Sequence, residues 1–236
     1  MKGIIETIRK ALKAEAHATK LIDTQRWFKE EIKTYGLKSA SVGKIAKTFF
    51  AEVKHLPKEE VFALCEPLWQ SGYLEETGIA CDWVYRFHKD FKPKDWATFE
   101  RWIDSYITNW ARCDTFCTST VGTFLEMYPQ YVKKLPAWAK SKNLWKRRAA
   151  AVSLIAPAKK GLFHEDVFKL AEILLLDPED MVQKGYGWML KETSNFDEQS
   201  VFRFVMQHKA TMPRTALRYA IEKMPKDLKE QAMKKP

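Results

Sequence analysis

The chain has 236 residues, of which 46% are hydrophobic and 13% aromatic, enough for a substantial core. Lysine and arginine exceed aspartate and glutamate by 40 to 30, and the resulting formal charge of +10 is spread along the sequence. That balance favours a polyanionic partner, nucleic acid ahead of a membrane surface. No run is long and apolar enough to cross a bilayer, and the amino terminus carries no signal pattern, so a soluble intracellular, cytoplasmic protein is expected.

Apolar residues recur with helical period almost everywhere, and no strand alternation stands out. The spacing predicts helices over about 2–19, 24–35, 39–55, 58–72, 76–90, 94–107, 110–127, 131–140, 143–156, 163–176, 179–193, 197–209 and 213–223. Pro57, Pro93, Pro178 and Pro225 each precede acidic residues, the chemistry of a first helical turn. Pro57, Pro93 and Pro129 stand 36 residues apart, and Pro178 and Pro213 stand 35 apart. A period in the thirties with short connections predicts an all-α fold, an α-solenoid of HEAT-like antiparallel helix pairs with a concave basic surface, formed as a single domain over 1–236. An irregular helical bundle is the competing arrangement.

Cys65, Cys81, Cys113 and Cys117 lie inside helical patterns without zinc-type spacing, and the five histidines are scattered. Reduced thiols are expected, with no metal and no cofactor.

The stretch 109–122 carries the sharpest anomaly. Trp110, Cys113, Cys117, Val121, Phe124 and Tyr128 form an apolar stripe, and Asp114 intrudes on it. A carboxylate there is costly unless something compensates for it. Arg148 falls between Trp145 and Val152 on another inward line, with Arg147 off it, and Trp188 follows Met181 and Gly185 on a third. Asp114 and Arg148 are 34 residues apart, Arg148 and Trp188 40, close to one repeat, so equivalent positions would line up along one wall. Gly185 and Gly187 weaken their own helix, and either DNA or a neighbouring helix is what approaches them.

Trp110-x-x-x-Asp114, then Trp145-x-x-Arg148-Ala-Ala, then Gln183-Lys-x-x-Gly187-Trp188-x-Leu190-Lys191-Glu192, together with Trp27 and the loop Tyr35-Gly36-Leu37-Lys38, resemble the HEAT-like-repeat DNA alkylation repair family of AlkD-like alkylpurine DNA glycosylases. The resemblance runs from about residue 20 to 222 by these motifs. It implies excision of positively charged N3- and N7-alkylated purines from duplex DNA by a cofactor-free monomer, as the first step of base excision repair. It also implies catalytic roles for Trp110, Asp114, Arg148 and Trp188, and backbone contacts by Trp27, Lys38, Ser39, Lys191 and Arg148. Arg112 and Arg147 add positive charge beside two of the motifs and are counted with the DNA contacts. Many relatives have an aromatic before the first motif tryptophan and an acid after it, where this chain has Asn109 and Ala111.

A cationic purine is already a good leaving group, so what remains is to stabilise the oxocarbenium-like sugar. Asp114 supplies negative charge and orients water, Trp110 and Trp188 supply π faces, and Arg148 suits either a phosphate or an ion pair with Asp114. The alternatives are a non-catalytic basic solenoid that binds damaged or branched DNA, and a protein-interaction scaffold. Neither needs a carboxylate among the motif residues.

Overall fold

A computed structural model describes residues 2–234; residues 1, 235 and 236, the ends of the single domain expected from sequence, lie outside it. The architecture is all-α, of the α-solenoid class, and the described residues form no strand beyond one isolated bridge. The chain clusters into two compact units, the first ending at Thr115 and the second beginning at Phe116.

The first unit holds α1 (Lys2–Ala18), α2 (Ser39–Val53), α3 (Lys58–Gln70), α4 (Leu74–Arg86), α5 (Asp95–Tyr106) and most of α6 (Trp110–Phe116). Proline punctuation works as the sequence suggests. Pro57 caps α3, whose first turn carries Glu59 and Glu60, and Asp95 opens α5 just after Pro93, so acids meet the unpaired N–H groups of each start. The second and fourth helices pack on each other, the third packs on the fourth, and the fifth packs on the third, burying Trp69, Trp83 and Trp102. The Trp83 indole N–H donates to the Ala46 carbonyl at 2.9 Å, which satisfies a polar atom deep in this core.

The helix expected over 24–35 is replaced by a short 3-10 turn, Gln25–Trp27, and an extended run that bridges Lys33 to Tyr73. Glu75 explains the change. Its buried carboxylate accepts from the Tyr35 N–H at 3.0 Å, the Leu37 N–H at 3.1 Å and the Thr34 hydroxyl at 2.7 Å. The Gln25 side chain meanwhile donates to the Glu30 carbonyl at 2.9 Å and accepts from the Ile32 N–H at 3.1 Å. Side chains therefore take the backbone groups that a helix would have paired internally. Gly36, at φ 74°, makes the left-handed turn that follows.

The second unit continues the motif helix through a π-helical turn, Cys117–Val121, into α7 (Gly122–Met127). A 3-10 turn at Pro129–Lys134 leads to α8 (Leu135–Ala139), then α9 (Leu144–Val152), α10 (Ile155–Lys159), α11 (His164–Leu174), α12 (Asp180–Thr193), α13 (Glu198–His208), α14 (Arg214–Ala220) and α15 (Lys226–Met233). The continuous helix expected over 143–156 breaks at Ser153, so that Pro157 falls in the first turn of α10 where its missing N–H costs nothing. The last helix was not expected beyond its Pro225 start signal. Its apolar residues are Leu228, Ala232 and Met233, of which Ala232 is buried. At the centre of this unit α12 packs on α9, α10, α11 and α14.

Candidate active site

In the first unit the site is built on α6. Asn109, 2% exposed, accepts the Arg112 N–H through its side-chain oxygen at 3.0 Å and so caps the helix. Trp110 and Asp114 follow one turn apart, both half-buried, while Cys113, Phe116 and Cys117 face the core. Asp114 thus stands at the margin of the apolar stripe, on the line of Trp110, where partial solvation lowers the cost of its charge. The Trp110 ring stacks on Phe28 with centroids 5.2 Å apart and planes 18° apart, and its indole N–H donates to the Trp27 carbonyl at 3.3 Å. Trp27 itself is 62% exposed, with the Arg26 guanidinium 4.7 Å above its ring. Trp27, Phe28, Trp110 and Thr115 border a cavity of about 490 Å³.

Arg112 is directed elsewhere. Its guanidinium donates to the Tyr106 carbonyl at 3.1 Å, the Thr108 hydroxyl at 2.9 Å and the Gly72 carbonyl, tying the turn before α4 to the α5–α6 connection. Burial lowers its pKa from the ordinary arginine value. Asn109, at one of the two departures from many relatives, and Arg112, which adds charge beside the motif, therefore have structural work within this unit. Lys38 and Ser39 lie exposed at the start of α2.

In the second unit Arg147 and Arg148 diverge, as their spacing indicates. Arg147 grips Asp177 with two bonds, at 2.6 and 3.1 Å, and donates to the Ser141 carbonyl at 3.0 Å. Arg148 is 4% exposed and donates to the Met181 carbonyl. Its Cγ lies where a Cβ on Gly185 would come within 3.2 Å. Gly187 stands against α14, where an added Cβ would meet the Tyr219 Cβ at 2.7 Å and the Ala216 carbonyl at 2.8 Å. Neighbouring helices account for both glycines.

Trp188 is half-buried on α12. One turn on, Glu192 accepts from the Lys223 ammonium at 3.0 Å on both oxygens and from the Asn195 amide at 2.9 Å. Burial opposes ionisation of Glu192, but Lys223, the Trp188 indole and Asn195 together hold its pKa below the usual carboxylate value. Lys191 pairs with Glu222 at 3.0 Å beside the Tyr219 ring. No local signal singles out Phe28, whose partner Trp110 is 82 positions away. Glu192 carried a legible signal, its place four residues after Trp188.

Cys65, Cys81, Cys113 and Cys117 are buried free thiols, and among the described residues no cluster of three or more His, Cys, Asp or Glu is arranged to hold a metal ion. No helix among them is long and apolar enough to cross a membrane.

Comparison with solved structures finds similarity to a predicted DNA alkylation repair enzyme from Enterococcus faecalis, at 18% identity over 90% of this chain and 96% of that one, with a TM-score of 0.78. That likeness is one of fold. No curated protein matches. The family model described as "DNA alkylation repair enzyme" matches residues 8–224, nearly the whole chain and all three motifs. The protein belongs to the DNA alkylation repair enzyme family.

Proposed function

We propose that this protein is a monofunctional DNA glycosylase that hydrolyses the N-glycosidic bond of positively charged N3- and N7-alkylated purines in duplex DNA, acting as a monomer without a cofactor. The observation that carries the reading is the pair on α6. Trp110 has its ring fixed by Phe28 and the Trp27 carbonyl, and the Asp114 carboxylate stands one turn away, half-buried. Membership of a DNA alkylation repair family supports the same class of substrate.

In this reaction the bond from C1′ to the purine nitrogen breaks and its electron pair neutralises the cationic base. No acid is needed on the leaving group. Positive charge grows on the deoxyribose, where a fixed carboxylate and a π face each stabilise the transition state more than the ground state. Water then adds to C1′ and gives up a proton, for which Asp114 is the acceptor. Trp188 offers a second π face, worth on the order of 0.5–2 kcal/mol against a cation. Trp27, Lys38 and Ser39, exposed in the first unit, are assigned to contacts along the duplex.

Asp114→Asn tests the reading. Release of free alkylpurine from methylated duplex DNA should fall by at least about a hundredfold, while DNA affinity holds or rises because a charge repelling phosphate is gone. Undiminished release by the folded variant would remove Asp114 from the chemistry. Tight binding by a wild type that releases no base would leave a DNA-binding protein without catalysis.

A further inference from the structure

The segment between α1 and α2 is a loop by secondary structure, yet it is anchored at many points. Glu75 holds Thr34, Tyr35 and Leu37, the Gln25 side chain closes on Glu30 and Ile32, and the Leu74 N–H donates to the Lys33 carbonyl at 3.0 Å. On this anchored segment two consecutive residues engage Trp110. Trp27 accepts its indole N–H at 3.3 Å, and Phe28 lies nearly parallel to its ring at 5.2 Å. A tryptophan ring turns broadly about its outer torsion when nothing holds it. The hydrogen bond fixes one edge, and the stack fixes the plane.

From this arrangement we infer that Phe28 is a positioning residue for the excision proposed above: it backs one face of Trp110 and so dedicates the opposite face to the developing sugar cation. Phe28 does not touch substrate. It acts by holding the Trp110 plane and by excluding water from the covered side. Both effects matter because attraction between a cation and an indole depends on the cation standing over the ring face, and it strengthens as the ring is desolvated. This role rests on the glycosylase reading, since it needs a cation for Trp110 to meet.

The test uses the full chain with Phe28→Ala, Phe28→Leu and Phe28→Tyr, each also in a Trp110→Ala background. Leucine keeps apolar bulk without an aromatic plane, so it still informs should alanine fail to fold; tyrosine keeps the plane. Single-turnover release from methylated duplex DNA should fall about three- to thirtyfold for Ala and Leu and return with Tyr, at DNA affinity within about twofold of the wild type. In the Trp110→Ala background the Phe28 substitutions should cost nothing further. The ¹⁵N-indole resonance of Trp110, identified by its loss in that background, should shift or broaden for Ala and Leu, whatever the catalytic outcome. Unchanged release by Phe28→Leu, losses that simply add to that of Trp110→Ala, or an unmoved Trp110 resonance would each overturn the inference and leave the glycosylase reading standing. A wild type that releases no base would overturn that reading, and the role of Phe28 with it.

Discussion

The Arg147–Arg148 pair shows how one step along a helix divides two identical side chains between different tasks. Arg147 is committed to Asp177, and Arg148 turns inward against Gly185 and the Met181 carbonyl. Similar specialisation governs the acids. Glu66 is held by Arg101 at 2.6 and 3.0 Å, by the Trp102 indole at 2.8 Å and by the Tyr106 hydroxyl, and Arg101 leads these partners in lowering its pKa to about 2. A carboxylate depressed in the folded state contributes stability that is fully present above its ordinary value of 4.5 and is lost as pH falls toward the folded pKa. Urea midpoints should therefore drop between about pH 5 and pH 2 in the wild type, and Glu66→Gln should lower the midpoint at neutral pH while flattening that acid limb. An acid limb as steep in the variant as in the wild type would assign the dependence to other carboxylates.

For the elements, the informative contrast is between two glycines inside helices. Gly187 lies where α12 and α14 meet closely, and the atoms nearest an added Cβ include a backbone carbonyl that cannot rotate away. Gly187→Ala should destabilise the protein by about 1–3 kcal/mol, because the two helices must separate to admit one methyl group. Gly43 lies inside α2 with nothing within 4 Å of its would-be Cβ. There alanine should stabilise by about 0.5–1 kcal/mol, through the lower entropy of the unfolded chain and better helix propensity. Chemical denaturation of both variants checks the pair, and a stabilised Gly187→Ala protein would mean that α12 and α14 have slack. The π turn at Cys117–Val121 belongs to the same scale. The run Thr118-Ser119-Thr120 weakens regular helix through β-branching and competing hydroxyls, and Gly122 packs close to the Ser153 carbonyl, 3.1 Å from its would-be Cβ.

At the scale of the whole molecule, the formal charge of +10 matches a polyanionic partner, and the proposed chemistry sets which lesions in that partner react. When the leaving group carries its own positive charge, selection rests on the lesion's weakened glycosidic bond, with no need to enclose the base in a fitted pocket. Bulky cationic N3 or N7 adducts should be released as well as methylated purines, uracil should be left in place, and exhaustive chelation should not change the rate. Release assays on duplexes carrying each lesion decide the point. Efficient uracil release, or discrimination against bulk at equal charge, would reveal a base pocket, and a metal-dependent rate would require a site that the proposal lacks.

The all-α class, the helix starts marked by Pro57, Pro93, Pro178 and Pro225, and the family, through Trp110, Asp114, Arg148 and Trp188, are legible in the residues alone. Each of these is a local signal, a period or a fixed spacing that needs no partner from elsewhere in the chain. Packing sets the segment after α1, where Glu75 from another helix takes the Tyr35 and Leu37 N–H groups at the end of the span expected as helix. It decided what approaches Gly185 and Gly187, and that Asn109 and Arg112 hold the turn around α6. It also set Phe28 against Trp110. A residue's helical period reports which side of its own element is apolar, but the group that meets that side is supplied by distant sequence. Only packing brings the two together.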